Sequence, residues 1–185
     1  MTRTRRFVTG VAAALVFTSG VVAVASLVGI PPGGRVRIEM FGPRDHGGTP
    51  AGPASDSVNI SKLEKDDPAH WGGSFVRGDT LVVTFVDVDL KAAQSALAKA
   101  GVSSSVVLES RSISLADADV VRGRIQGTGL MGTRLTGLGY DVSRGVVVAD
   151  AQWPDVSLVR KIDKATAGTH VPIRIHWSLG SDRAT

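Results

Sequence analysis

The chain has 185 residues and no cysteine, which excludes disulfide bonds, thiol catalysis and metal sites built from thiolates. Its formal charge of +4 comes mainly from Arg3, Arg5 and Arg6, because without them 18 basic residues face 17 acidic ones. The rest of the chain is almost neutral, with no block of basic residues and few aromatic side chains, which speaks against binding to nucleic acid. The length suits one ordinary domain preceded by a targeting segment.

The first element is an uncharged run from Phe7 to Ile30 that follows the three arginines. A helix of this length would extend about 36 Å, enough to cross the roughly 30 Å hydrocarbon core of a bilayer. The arginines would remain in the cytoplasm under the positive-inside rule, so everything after the run would lie outside. The protein is therefore expected to be exported.

Two interpretations of residues 1–30 stay open. The length of the apolar run favours an uncleaved membrane anchor, which would give a single-pass membrane protein with its C-terminal domain outside. A small-residue motif ending at Ala25 instead fits a signal peptide cleaved before Ser26, which would give a secreted protein.

The segment after the apolar run is rich in glycine and proline. Alternation from Arg35 to Phe41 predicts a short strand, but residues 31–57 as a whole are interpreted as a flexible linker. The folded domain is expected over residues 58–179, with a tail at 180–185.

Hydrophobic periodicity and turn residues predict the elements of this domain in chain order. The first group is a hairpin, a helix and a strand, assigned to residues 71–76, 80–86, 90–100 and 105–109. The second group is a helix, a hairpin, a helix and a strand, assigned to residues 114–126, 135–141, 145–149, 155–167 and 171–177. Because Pro172 has no N–H group, the last strand is expected near a sheet edge at its start.

Helices that alternate with hairpins are typical of the α+β class. The expected fold is a mixed, mostly antiparallel sheet with helices on one face, containing ferredoxin-like βαβ units. The N-terminal transmembrane or signal helix would precede it.

The residues give little support for chemistry, so the protein is expected not to be an enzyme. No G-x-S-x-G nucleophile motif is present. His170 and His176 would lie about 20 Å apart on one strand, too far to share a metal ion. Neither a metal site, a cofactor site nor a catalytic residue is predicted. The three tryptophans are interpreted as core residues, with a partner-binding anchor as the alternative if they are exposed.

Two stretches carry a resemblance to a known family. The first begins at Trp71 with Trp-Gly-Gly-Ser-Phe-Val and continues from Asp79 with Asp-Thr-Leu-Val-Val-Thr-Phe into an alanine-rich helix ending at Gly101. The second begins at Tyr140 with Tyr-Asp-Val-Ser-Arg-Gly-Val-Val-Val. Together they resemble the pro-regions of secreted bacterial chymotrypsin-like proteases, the streptogrisin and α-lytic protease group. The resemblance covers about residues 70 to 178, and the module is expected to act without a protease domain of its own.

Pro-regions of that family assist the folding of their protease and inhibit it, so the resemblance implies an extracellular serine protease as partner. The expected function is that of an exported or membrane-tethered, non-enzymatic protein-binding module that inhibits or binds such a protease. Its partner is expected at an exposed strand edge, with Ile173, Ile175 and Trp177 as the contacting residues. The alternative function is a structural or sensory domain of the bacterial cell envelope with no protease partner.

Overall fold

A computed structural model describes residues 34–40, 54–103 and 105–177. The predicted membrane segment 1–30, residues 41–53 of the linker and the tail at 180–185 lie outside these ranges. No helix within the described ranges is long and apolar enough to cross a membrane.

The described part consists of one leading strand and two halves. The leading strand is β1 (Val36–Met40). The N-terminal half contains α1 (Ala54–Asp66), β2 (Trp71–Arg77), β3 (Thr80–Phe85), α2 (Leu90–Lys99) and β4 (Val106–Ser110). The C-terminal half contains α3 (Leu115–Gln126), β5 (Leu135–Asp141), β6 (Val146–Ala151), α4 (Val156–Ala165) and β7 (Ile173–Trp177).

Each half forms its own sheet. In the N-terminal half the strand order is β2-β3-β4, with β2 antiparallel and β4 parallel to β3. In the C-terminal half the order is β1-β7-β6-β5, with β5 antiparallel and β7 parallel to β6. Strand β1 adds to this second sheet by pairing in parallel with β7.

The two halves repeat one structural unit. Both follow the order helix, strand, strand, helix, strand, and the last four elements have 7, 6, 10 and 5 residues in each half. The hairpins also share an irregularity near their start, between Trp71 and Gly73 in one half and between Leu135 and Gly137 in the other. The fold is therefore two copies of an αββαβ unit, and β1 is the one described strand that has no counterpart.

Local interactions explain why the second helix of each unit begins where it does. Asp89 accepts a hydrogen bond from the N–H of Ala92 before α2, and Asp155 accepts one from the N–H of Leu158 before α4. Such side chains satisfy N–H groups that a helix start otherwise leaves without a partner. Each helix returns the chain to a strand parallel to the one that it left.

Each half buries a separate hydrophobic core, and the halves meet through a few close contacts. The N-terminal core contains Ile60, Trp71, Leu81, Val83, Phe85, Ala93 and Leu97. The C-terminal core lies between its sheet and helices α3 and α4. Between the halves, Gly73 faces the side chain of Val142 so closely that a Cβ atom there would lie 2.7 Å from Cγ2. The side chain of Arg111 donates a hydrogen bond to the carbonyl oxygen of Ser143 at 3.4 Å.

The predicted α+β class with mixed strand pairing is confirmed, but the prediction of one mostly antiparallel sheet with ferredoxin-like units is wrong. The described strands form two sheets, and three of their five pairings are parallel. A ferredoxin-like unit would leave a strand between the two that its helix joins. Here β3 and β4 are immediate neighbours, as are β6 and β7. Strand partners depend on contacts between distant residues, which periodicity does not report.

The predicted linker also needs correction, because parts of residues 31–57 are folded. Strand β1 was predicted, and it belongs to the C-terminal sheet. Helix α1 begins at Ala54, before the predicted domain start at Val58. Its first turn is fixed to the domain, since the buried carboxylate of Asp56 accepts hydrogen bonds from the backbone N–H and the hydroxyl of Ser103.

Candidate partner-binding site

The prediction that the last strand lies at a sheet edge is wrong. Strand β7 pairs with β6 on one side and with β1 on the other. The N–H of Ile173 donates to the carbonyl oxygen of Arg35 at 2.9 Å, and the carbonyl of Pro172 accepts from Val147 at 3.0 Å. The missing N–H of Pro172 costs no ladder bond because the proline precedes the strand. Ile173 and Ile175 are fully buried, so they offer no surface to a partner.

Trp177, at the end of β7, shares the core-facing side of the sheet with the two isoleucines, but it is less buried than they are. Its ring contacts the ring of Trp153 with the centroids 5.7 Å apart and the planes tilted by 48°. Trp177 is half-buried, and its indole N–H is buried without a hydrogen-bond partner among the described residues. Trp153 is 68% exposed, the largest exposure among the large hydrophobic residues of the described ranges. We call these two residues the aromatic pair.

The side chain of Arg134 and the N-cap residue Asp155 hold the backbone around Trp153. Trp153 lies between the end of β6 and the start of α4. Arg134 donates to the carbonyl oxygen of Trp153 at 3.4 Å and forms an ion pair with Asp155 at 3.0 Å. The pKa of Asp155 is lowered, mainly because its carboxylate accepts the backbone N–H of Leu158, and further by Ser157 and Arg134. These contacts fix the loop that carries the exposed indole.

The third tryptophan has a different role. Trp71 is buried in the N-terminal core, as the core interpretation predicts. The anchor interpretation remains for Trp153 and Trp177. The sequence analysis offered the anchor alternative for all three tryptophans and named Trp177 as a contact residue. The core interpretation is wrong for Trp153, which is exposed. The available signal was its place in a short polar connection directly before Pro154 and the cap of α4.

A polar row crosses the C-terminal sheet on the face opposite its core. Glu39, His176 and Asp150 occupy the same register position on the neighbouring strands β1, β7 and β6. Glu39 lies 3.3 Å from Nε2 of His176, and Asp150 lies 3.7 Å from Nδ1. Glu39 also pairs with Arg144 at 2.7 Å and with Arg174 at 2.9 Å. The ion pairs of Glu39 with these two arginines therefore hold β1 to the sheet.

The environment of Glu39 lowers its pKa. The hydrogen bond from Arg144 is the largest cause, and the charges of Arg144 and Arg174 act in the same direction against the effect of burial. The carboxylate is thus ionised at neutral pH.

The other two histidines in the described ranges make ordinary surface contacts. His70 lies 2.9 Å from a carboxylate oxygen of Asp67, and Nε2 of His170 lies 3.2 Å from the carbonyl oxygen of Ser112. The described ranges contain no group of three or more histidine, aspartate or glutamate side chains that could hold a metal ion.

In the Arg-Gly-Asp tripeptide at residues 77–79, Arg77 ends β2, and Gly78 and Asp79 form the turn of the first hairpin. Arg77 forms an ion pair with Glu109 at 2.6 Å and stacks over the ring of Phe75 at 5.2 Å. Its guanidinium is thus held against the sheet of its own half.

Comparison with models of known protein families gives no match, and no curated protein is significantly similar to the chain.

Proposed function

We propose that this protein is an exported, non-enzymatic binding module that recognises a protein partner through the aromatic pair Trp153 and Trp177. The observation that carries the proposal is an indole exposed over 68% of its surface and packed against a second indole. The pair replaces the last strand as the contact surface, with Trp177 retained from the sequence prediction.

Tryptophan suits this role for physical reasons. It presents a large apolar surface with few rotatable bonds, and it is enriched among the residues that dominate binding energies in protein interfaces. In the free protein, the pair leaves apolar surface in contact with water, so covering it with a partner is favourable. Since Arg134 and Asp155 already fix the loop, little conformational freedom would be lost on binding.

The partner that we propose is an extracellular serine protease. This part of the proposal is supported by the resemblance to protease pro-regions. Such a partner is met only outside the cytoplasmic membrane, which fits an N-terminal segment acting as anchor or cleaved signal peptide. Mass spectrometry of the native N-terminus distinguishes the two: a chain beginning at Ser26 is secreted, and an intact N-terminus indicates a membrane-tethered protein.

The test is an inhibition and pull-down assay with the full chain and a panel of secreted bacterial chymotrypsin-like proteases. We expect binding at micromolar concentration or tighter. Trp153→Ala should weaken it at least about tenfold, which corresponds to about 1.4 kcal/mol. Val58→Ala is the matched control, because it removes an exposed apolar side chain from α1 in the other half.

Two outcomes would contradict the proposal. Equal binding by wild type and Trp153→Ala would remove the aromatic pair from the interface. No binding of any protease at micromolar concentration would retire the protease partner and favour the alternative of a cell-envelope domain without one.

A further inference from the structure

The two structural repeats differ at one sheet edge. In the C-terminal half, β1 covers the outer side of β7. The equivalent strand of the N-terminal half is β4, which is also the last strand of its unit and has the same length. Among the described strands, β4 is the outermost member of its sheet, with β3 as its neighbour. No described strand lies beside β4 in the position that corresponds to that of β1 beside β7.

The backbone groups of β4 have the orientation that an added strand requires. Alternate residues of a β-strand direct their hydrogen-bonding groups to opposite neighbours. The N–H of Arg111 donates to the carbonyl oxygen of Phe85 at 2.8 Å, so odd-numbered residues face β3. The N–H and C=O groups of Val106, Leu108 and Ser110 therefore face away from β3. In β7 the residue equivalent to Val106 is Ile173, whose N–H donates to the carbonyl oxygen of Arg35 immediately before β1.

The side chains at this edge are apolar on both faces of the sheet. Val106 and Leu108 pack, partly buried, against the N-terminal core. On the opposite face Val107 is 44% exposed and lies beside Val82 of β3. An unpaired edge with exposed apolar side chains is a template for pairing with another chain.

We propose that β4 binds an extended segment of a partner protein, which adds to the sheet in parallel as β1 does beside β7. This inference concerns a surface distinct from the aromatic pair and does not depend on the protease assignment. The added segment extends the three-stranded sheet to four strands. The N-terminal half then has the same strand arrangement as the C-terminal half.

The side chains around β4 specify the chemistry of that segment. Positions equivalent to Val36 and Ile38 of β1 face the core and must be apolar. The side chain next to Val107 is also apolar, since it covers an exposed valine. The side chain next to Glu109 is uncharged, because Glu109 already forms ion pairs with Arg77 at 2.6 Å and with Arg111 at 2.9 Å.

The same reasoning argues against β1 of a second copy as the occupant. In that case the charged side chain of Arg37 would lie beside Val107, where the pattern requires an apolar side chain. The partner is therefore a different protein that carries an apolar extended segment.

The test uses two fluorescein-labelled peptides and the full chain in detergent, followed by fluorescence anisotropy. The first peptide, Arg-Val-Val-Ile-Thr-Met, has the proposed pattern. The second, Arg-Val-Arg-Ile-Glu-Met, copies Arg35–Met40 of the chain. We expect the first to bind at least about tenfold more tightly than the second. Hydrogen exchange on binding should slow at the amides of Val106, Leu108 and Ser110.

Two variants of β4 test the location. Val107→Lys places a charge at the edge, and Ser110→Pro removes an outward N–H without removing a bond to β3, so each should weaken binding of the first peptide at least about tenfold. Val120→Lys is the control, because it changes an equally exposed valine on α3. Circular dichroism establishes that each variant is folded.

Three results would overturn the proposal. The first is a failure of the first peptide to bind at concentrations of about 1 mM. The second is unchanged binding by folded Val107→Lys. The third is a dimer in sedimentation analysis that Val107→Lys converts to monomer, since this would assign the edge to a second copy of the chain.

Discussion

Arg35 and Thr169 are joined by two hydrogen bonds across 134 residues of chain. One guanidinium nitrogen of Arg35 donates to the carbonyl oxygen of Thr169 at 2.6 Å and to its hydroxyl at 2.8 Å. The second nitrogen donates to the carboxylate of Asp163 at 3.1 Å, and the carbonyl of Thr166 also accepts from the side chain. The last carbonyls of a helix have no partner within it, so Arg35 completes the end of α4 and fixes the start of β1.

Replacement of Arg35 by alanine should therefore destabilise the C-terminal half. We expect Arg35→Ala to lower the free energy of unfolding by about 2 kcal/mol, because several partly buried hydrogen bonds to a charged donor are lost. Arg35→Lys should recover only part of this, since an ammonium group cannot reproduce the planar fork of donors. Urea unfolding measures both. Arg37→Ala is the control, because Arg37 is exposed and its side chain donates to Gly34 at 3.3 Å. Equal losses for the Arg35 and Arg37 variants would refute this role.

The lowered pKa of Glu39 predicts that the folded protein loses stability in acid. Its folded-state pKa lies below the usual 4.5 because Arg144 and Arg174 stabilise the carboxylate. This contribution is complete above pH 4.5 and disappears as the pH falls through the folded-state pKa. Glu39→Gln should thus be less stable than wild type at pH 7, with the gap narrowing below pH 4.5. Denaturant unfolding across this pH range is the measurement, and a gap that does not change with pH would contradict the ion-pair origin.

The partly buried position of Glu64 predicts that its contribution to stability changes with pH in the opposite direction. Burial raises its pKa above 4.5, although a hydrogen bond from Ser74 opposes the shift. The protonated form is thus favoured by folding, so the stabilisation is complete below pH 4.5 and is lost as the pH rises through the folded-state pKa. Glu64→Gln should be more stable than wild type at pH 7, and this advantage should shrink toward pH 4. The same unfolding series tests it, and an advantage that grows in acid would exclude burial as the cause.

The two halves approach each other closely at Gly73, so we expect this position to tolerate no side chain. Its φ is +102°, and a Cβ atom would lie 2.7 Å from Val142. Gly73→Ala combines backbone strain with overpacking, so we expect it to lower the free energy of unfolding by about 2 kcal/mol or more. In Gly139→Ala the new Cβ atom meets no atom within 4 Å, and we expect little change. If thermal unfolding shows similar losses for both variants, the close approach of the halves is not what requires glycine.

The elements that sequence reasoning predicted well are those defined by nearby residues. Asp89, Ser114 and Asp155 cap helices through bonds to residues three positions further on, so their roles are visible in the sequence. Both hairpins were predicted because their strands and turns are contiguous. Helix α1 was missed for two reasons. The residues before it are rich in glycine and proline, and within the helix only Ile60 and Leu63 pack in the core, so the helical pattern of apolar residues is weak.

The features that sequence reasoning missed depend on distant contacts. Glu39 pairs with Arg144 across 105 residues, and β1 pairs with a strand near the other end of the chain. The repeat was hidden because equivalent elements share lengths rather than residues: Trp71 of one hairpin corresponds to Leu135 of the other. The exposure of Trp153 likewise depends on the packing of β7 and α4, which the sequence does not display.

The parallel alignment of β1 with β7 fixes which end of β1 lies beside the aromatic pair. The chain enters β1 from Gly34, whereas Trp177 lies beside Met40 at the far end of the same strands. Six residue steps of extended chain separate Gly34 from Met40, which corresponds to roughly 20 Å. If the segment before Gly34 is embedded in a bilayer, a partner would meet the two indoles at the end of β1 that is farther along the chain from the lipid.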